Sequence, residues 1–405
     1  MKPNSALFAG VLIALSMSAC SQSGSKSDVT NEPDAELTHA NDGHVNSSGD
    51  ARMGSVVDGS DGRMSDAELQ NEPDGGPTND GRFTAGVLPD ALKHGGYFDS
   101  TFINSAGDRI YFLHSIWSPS VLDGNATPAQ CSHLESPQLP GHITSPGLEW
   151  NTDLYYVQWE GGRWSSPINL GAPINTLGME CCVWLNDDET EIIFNRVSDL
   201  DGDDEDEDIG LPPTGNYIAT RAHRDAPWGQ PVPLPGKYGV EDQTGGDERA
   251  DVQKTPSGNL YLWEWFENGD NLLVFGERTG GSDESPTYAA PVTIDGSVNY
   301  ETQLWVNDME TVLVFNRRQP NGETLLYVRT RDSSADPWGQ PRQVETRDFA
   351  DSNGKHVWGE PSFDQTERFM IFTRFDTSDP SCYVPKLMYS EGDIVNGFSP
   401  PVVLN

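Results

Sequence analysis

Basic residues are scarce in this 405-residue chain: 25 Lys and Arg stand against 63 Asp and Glu, for a formal net charge of −38. Binding to a phosphate backbone depends on a basic patch or run. None is present, so nucleic acid is excluded as a partner. Cations, neutral glycans and basic protein surfaces suit this charge, and adaptation to a saline habitat would explain it as well. Long apolar runs are also missing. The run from Ala6 to Met17 is too short to span a bilayer as a helix. No G-x-S-x-G, H-E-x-x-H or glycine-rich phosphate loop occurs, so no catalytic motif can be read from spacing. Cysteines number only five.

What the chain does have is a long-period repeat. An aromatic residue is followed three positions later by proline in WSSPINL, WGQPVPL, YAAPVTI, WGQPRQV and FSPPVVL, at Trp164, Trp228, Tyr288, Trp338 and Phe398. The prolines lie 64, 60, 50 and 60 residues apart, a period that belongs to propellers or solenoids. Ahead of each anchor come three short segments with period-two patterning, separated by Gly, Asn and Asp turns, as strands require. Proline in the fourth segment suits an outer edge strand, where a missing N–H breaks no ladder. The pattern predicts an all-β, five-bladed β-propeller of four-stranded antiparallel blades over residues 86–405. Its units are about 96–175, 176–240, 246–298, 299–350 and 354–405.

Ahead of the propeller, Lys2, the apolar run and Ser18-Ala19-Cys20 read as a secretory signal peptide over residues 1–19. Met17-Ser18-Ala19-Cys20 resembles a bacterial lipobox. That resemblance implies lipidation at Cys20, membrane contact through the lipid anchor only, and an envelope location, the outer membrane favoured because Ser21 is not aspartate. Residues 20–85 are acidic and polar with almost no aromatics, which predicts a disordered tether.

The repeat resembles TolB-type (WD40-like) β-propeller repeats. The resemblance rests on E-x-x-x-W-x-N-D-x-E-T-x-x-x-F-N-R, present at Glu180–Arg196 and Glu301–Arg317, with a looser copy at Glu360–Arg374. It implies a binding or scaffold role. A surface- or periplasm-facing lipoprotein is expected, with a non-catalytic module that takes an envelope protein or glycan.

Strand direction places Asp99, Glu180, Glu248, Glu301 and Glu360 at first-strand starts. His114, Arg196, Trp265, Arg317 and Arg374 fall at second-strand ends, around the same channel mouth. From these, Glu180, Arg196, Trp265, Glu301, Arg317, Glu360 and Arg374 are expected to bind ligand, unless each Glu–Arg pair only braces its blade. The alternative is a glycoside hydrolase, since five-bladed propellers include hydrolases with three carboxylates at the mouth; Asp99, Glu180, Glu301 and Glu360 would serve, but arginine partners disfavour a general acid.

Long connections lie on the same predicted face. In that of unit two, Asp199, Asp201, Asp203 and Glu205 place oxygen donors at alternate positions, which suggests a Ca²⁺ loop against a plain solvated acid run. With Cys20 lipidated, four cysteines remain and allow three pairings in an oxidising compartment. Neighbouring units in a closed ring suggest Cys131–Cys382, leaving Cys181 and Cys182 as a vicinal disulfide or paired elsewhere. A copper or zinc site of Cys181, Cys182, His114, His133 and His142 has no recognised ligand spacing.

Overall fold

The computed structural model describes residues 81–405 apart from internal stretches, the longest being 121–125, 133–137, 144–150, 198–211 and 241–247. Period-two segments rich in Val, Ile, Tyr, Phe and Trp pair with their chain neighbours, so each unit closes as an antiparallel sheet. Blade 1 comprises β1 (Tyr97–Ile103), β2 (Arg109–Ser115), β3 (Asp153–Glu160), β4 (Arg163–Trp164) and β5 (Ile168–Asn169). Blade 2 comprises β6 (Met179–Leu185), β7 (Glu191–Val197), β8 (Gly215–Thr220) and β9 (Val232–Pro233). In blade 3, β10 (Glu248–Lys254), β11 (Leu260–Trp265) and β12 (Asn271–Gly276) precede the hairpin of β13 (Arg278–Gly281) and β14 (Pro286–Tyr288). The edge strand β15 (Val292–Thr293) completes it.

Blade 4 has β16 (Glu301–Val306), β17 (Val312–Arg318), β18 (Thr324–Thr330) and β19 (Arg342–Gln343). Blade 5 has β20 (Trp358–Phe363), β21 (Phe369–Asp376), β22 (Val384–Asp393), β23 (Gly397–Phe398) and β24 (Val402–Val403). The fold is thus the expected five-bladed propeller, with a fifth short strand in blades 1 and 5 and an added hairpin in blade 3.

The recurrent motifs have local physical roles. Pro167, Pro231, Pro291, Pro341 and Pro401 each immediately precede a two-residue edge strand. Trp228 and Trp338 lie under the guanidiniums of Arg221 and Arg331, at 4.0 and 4.1 Å, a cation–π contact. The glycine after Trp338 is needed because its N–H bonds Thr330 O at 3.0 Å, where a Cβ would stand 2.9 Å from that oxygen. The glutamate of N-D-x-E-T sits in a left-handed turn, at Glu189 (φ 52°) and Glu310 (φ 56°). Each reaches back to the preceding blade: Glu189 to Arg109 and Tyr111, Glu310 to Thr255, Ser257, Asn259 and Tyr261.

Closure joins blade 5 to blade 1. Thr101 Oγ1 donates to Glu360 O at 2.9 Å, and Ile103 N to Ser362 Oγ at 3.0 Å. The Cys131–Cys382 disulfide forms across the same two blades. A latch invisible in the repeat pattern lies just ahead of blade 1. Gly86 N and Leu88 N donate to Val403 O and Leu404 O at 2.9 and 3.0 Å, while Phe83 stacks on Tyr389 with ring centres 4.3 Å apart. Arg82 and Phe83, within the span 20–85 expected as tether, therefore pack on the propeller.

Candidate functional site

Each blade's first strand carries one register shift, after Asp99, Cys181, Ala250, Thr302 and Gly359. The next residue is left-handed in every case: Ser100 (φ 53°), Cys182 (59°), Asp251 (53°), Gln303 (50°) and Glu360 (53°). None is glycine, so each position carries a backbone cost of about 1–2 kcal/mol. A bulge turns its side chain out of the normal alternation. Here the five side chains converge on a cavity of about 30 Å³ at the centre of the ring.

That centre is acidic. Tyr97 Oη donates to Asp99 Oδ2 at 2.7 Å, Trp263 Nε1 donates to Asp251 Oδ2 at 2.6 Å, and the Cys182 thiol bonds Asp251. Burial raises Asp99 to about 6 despite its bonds to Tyr97 and Glu360, and burial likewise raises Asp251 to about 6. Glu360 is pushed well above the usual carboxylate range, by burial first and then by repulsion from Asp99 and Asp251. Burial also raises the Cys181 and Cys182 thiols. These two cysteines carry no disulfide in this structure, and their Sγ atoms lie 2.7 Å apart at the left-handed turn of Cys182.

The Glu–Arg pairs Glu180–Arg196 and Glu301–Arg317 face each other in register as expected, and each is closed off by further bonds. Glu180 bonds Arg196 Nε at 2.9 Å and Thr176 Oγ1 at 2.6 Å, and Arg196 donates to Ile174 O at 2.7 Å. Burial raises Glu180, opposed by Arg196 and Thr176. Glu301 bonds Arg317 and, at 2.7 Å, Ser297 Oγ. Arg329 donates to Asp295 O at 3.0 Å. Each cluster ties down the connection that enters its blade.

Blade 3 does the same with reversed charge. Arg249 on the first strand bonds Glu264 on the second and donates to Lys237 O at 3.0 Å. Glu264 was missed in the sequence, where Glu248 and Trp265 were placed at this position. They do face each other, one step further out, and Trp265 packs against the central core. In blade 5 the partner of Arg374 is Trp358, not Glu360, and Arg374 donates to Ala350 O at 3.2 Å. In blade 1, Phe98 and His114 hold the equivalent place with ring centres 4.9 Å apart.

A second, wider cavity is on the opposite face, where the first-to-second-strand turns gather. This basin, of about 710 Å³, has Phe102, Trp184, Trp305 and Phe363 in its lining, with Asp187, Asp188 and Asp308 exposed at its rim. Its lysine and arginine are already paired, Lys254 with Glu191 and Arg278 with Asp283, both at 2.8 Å. Asp308 is raised by burial and by the nearby Asp187. Phe102, Trp184 and Gln253 line both the basin and the axial cavity.

Cys20, His133, Asp199, Asp201, Asp203 and Glu205 lie outside the described residues, as do the signal peptide and the tether up to residue 80.

No family model matches the chain, and no curated protein matches it. Solved structures do. TolB from Acinetobacter baumannii is 8% identical with a TM-score of 0.39, over 76% of this chain and 57% of that one. The chain thus spans little more than half the length of that protein. The catalytic domain of the Coprinopsis cinerea GH62 α-L-arabinofuranosidase is 12% identical with a TM-score of 0.42, over 75% and 96%. CoXyl43, a GH43 β-xylosidase/α-arabinofuranosidase from a compost microbial metagenome, is 10% identical with a TM-score of 0.44, over 78% and 97%. At such identities the likeness is one of propeller fold alone.

Proposed function

We propose that this chain is a non-catalytic binding module of the bacterial envelope, lipid-anchored through Cys20, and that its ligand is a basic segment of a partner protein received in the acidic basin. The observation that carries the reading is the basin itself. Asp187, Asp188 and Asp308 are exposed at its rim beside Asp283, which pairs with Arg278, while Lys254 is committed to Glu191. A concave site with aromatic side chains and unbalanced negative charge favours Lys or Arg side chains whose stems rest on tryptophan.

The burial of the other carboxylates supports binding over hydrolysis. Asp99, Glu180, Glu301 and Glu360 are 1, 0, 0 and 8% exposed. A cavity of about 30 Å³ admits no sugar to those near the axis. A glycosidase needs two carboxyls flanking its scissile bond.

The test is binding of Lys/Arg-rich peptides, run beside a glycan panel assayed for both binding and hydrolysis. The expected result is salt-sensitive peptide binding that falls at least tenfold in Asp187→Lys plus Asp308→Lys, with unchanged melting temperature. Sugar release from any glycan, or peptide binding indifferent to the double variant, would overturn the proposal.

A further inference from the structure

The bulge residues of the first strands deliver five polar side chains to one point on the axis, and three of them form a tighter group. Cys182 Sγ and one carboxylate oxygen each from Asp251 and Glu360 all lie within 4.8 Å of one another. Asp99 faces the same group through its contact with Glu360. No Lys, Arg or His lines this cavity. Asp99 and Glu360 share a carboxyl–carboxyl hydrogen bond; apart from it, Glu360 Oε2, on a residue 8% exposed, and Asp99 Oδ1, on a residue 1% exposed, meet no donor. Buried carboxylate oxygens without a donor or counter-charge are costly. A volume of about 30 Å³ matches one ion or one water and nothing larger.

We propose that the propeller axis binds one divalent transition-metal ion of the zinc class, held by Cys182 Sγ and the carboxylates of Asp251 and Glu360. Each ligand comes from a different blade, 2, 3 and 5. A thiolate among carboxylates selects zinc-like ions over calcium and magnesium, which prefer oxygen alone. Metal–sulfur and metal–oxygen distances of about 2.3 and 2.0 Å put tetrahedral donors roughly 3.3–3.6 Å apart. Binding would draw the present group, within 4.8 Å, in to that spacing.

The surroundings hold the ligands in place, as outer-shell partners do. Trp263 Nε1 fixes Asp251, Ser100 Oγ accepts the Cys182 N–H at 2.8 Å, and Gln303 Oε1 accepts the Glu360 N–H at 3.3 Å. The cavity adjoins the basin, with which it shares Phe102, Trp184 and Gln253. On binding, the Cys182 thiol loses its proton to solvent and the sulfur becomes a ligand; no electron is transferred.

The experiment uses the full chain, purified with a phosphine reductant, stripped with a chelator and titrated with Co²⁺ and then Zn²⁺. The expected result is one Co²⁺ per chain with a thiolate-to-cobalt charge-transfer band, displaced by Zn²⁺, and a melting temperature raised by Zn²⁺. Cys182→Ser should abolish the band and weaken binding at least tenfold, while Cys181→Ser keeps the band. The wild-type chain decides alone should a variant fail to fold, because absence of the band at one equivalent of Co²⁺ overturns the proposal. It is equally overturned by a band that follows Cys181, or by binding unchanged in Cys182→Ser and Asp251→Asn.

Discussion

Replacing the turn glutamate Glu189 should destabilise this propeller far more than replacing its counterpart Glu367, although both stand at the same step of the repeat in left-handed backbone. Glu189 is 2% exposed by side chain and sits 3.0 Å from Arg109 Nη1, itself 1% exposed. Its carboxylate also takes the Tyr111 hydroxyl and, at 2.7 Å, Asn104 Nδ2, with Arg224 at 3.4 Å. Removing one partner of a buried ion pair costs about 3–5 kcal/mol, because the other charge stays buried. Arg109 keeps its contact with the largely exposed Asp225, so Glu189→Ala belongs at the lower end, about 3 kcal/mol.

Glu367 is half-buried and accepts from Asn307 Nδ2 at 3.0 Å. Glu367→Ala should cost about 1 kcal/mol, one ordinary hydrogen bond. Backbone conformation adds a second signature. Glycine relieves left-handed strain of about 1–2 kcal/mol but gives the unfolded chain about 0.5–1 kcal/mol of extra freedom. Glu189→Gly should therefore be milder than Glu189→Ala by roughly 0.5–1 kcal/mol. Denaturant unfolding followed by tryptophan fluorescence measures all three. Equal losses for Glu189→Ala and Glu367→Ala, or a glycine variant worse than the alanine one, would refute the reasoning.

Three other outcomes are expected. His114 is lowered to about 3, by burial first and by His142 second. The folded state thus stays neutral where the unfolded chain binds a proton, so stability should fall as pH drops from about 6.5 towards 3, by about 1.4 kcal/mol per unit. His114→Gln should flatten that acid limb by one proton, and an unchanged slope in urea midpoints against pH would contradict it. Cys131→Ser plus Cys382→Ser opens a loop with a sequence separation of 251 and should cost up to about 5.5 kcal/mol by the chain-entropy estimate; calorimetry showing no loss would place closure on packing and the 83–92 latch. Finally, if Asp199, Asp201, Asp203 and Glu205 hold Ca²⁺, millimolar calcium should raise the melting temperature where equal magnesium does not. Asp201→Asn plus Asp203→Asn should abolish the rise, whereas Cys182→Ser should leave it intact.

The sequence by itself determined the ring. Strand alternation, turn asparagines, the Trp–Arg stack and the edge prolines all act between residues close in the chain, so the repeat spelled out blades, their number and the neighbouring units that carry Cys131 and Cys382. Tertiary structure alone decided the site. Glu360 was placed opposite Arg374 by analogy with Glu180 and Glu301, but the register puts Trp358 there. Strand side chains alternate with period two, so a slip of two residues keeps every face in place and leaves no trace in the pattern. The bulges decided the rest, because one extra left-handed residue per inner strand turns Cys182, Asp251 and Glu360 towards the axis. Their meeting depends on three blades closing on one another, a contact between residues 69 and 109 positions apart along the chain that no local rule encodes.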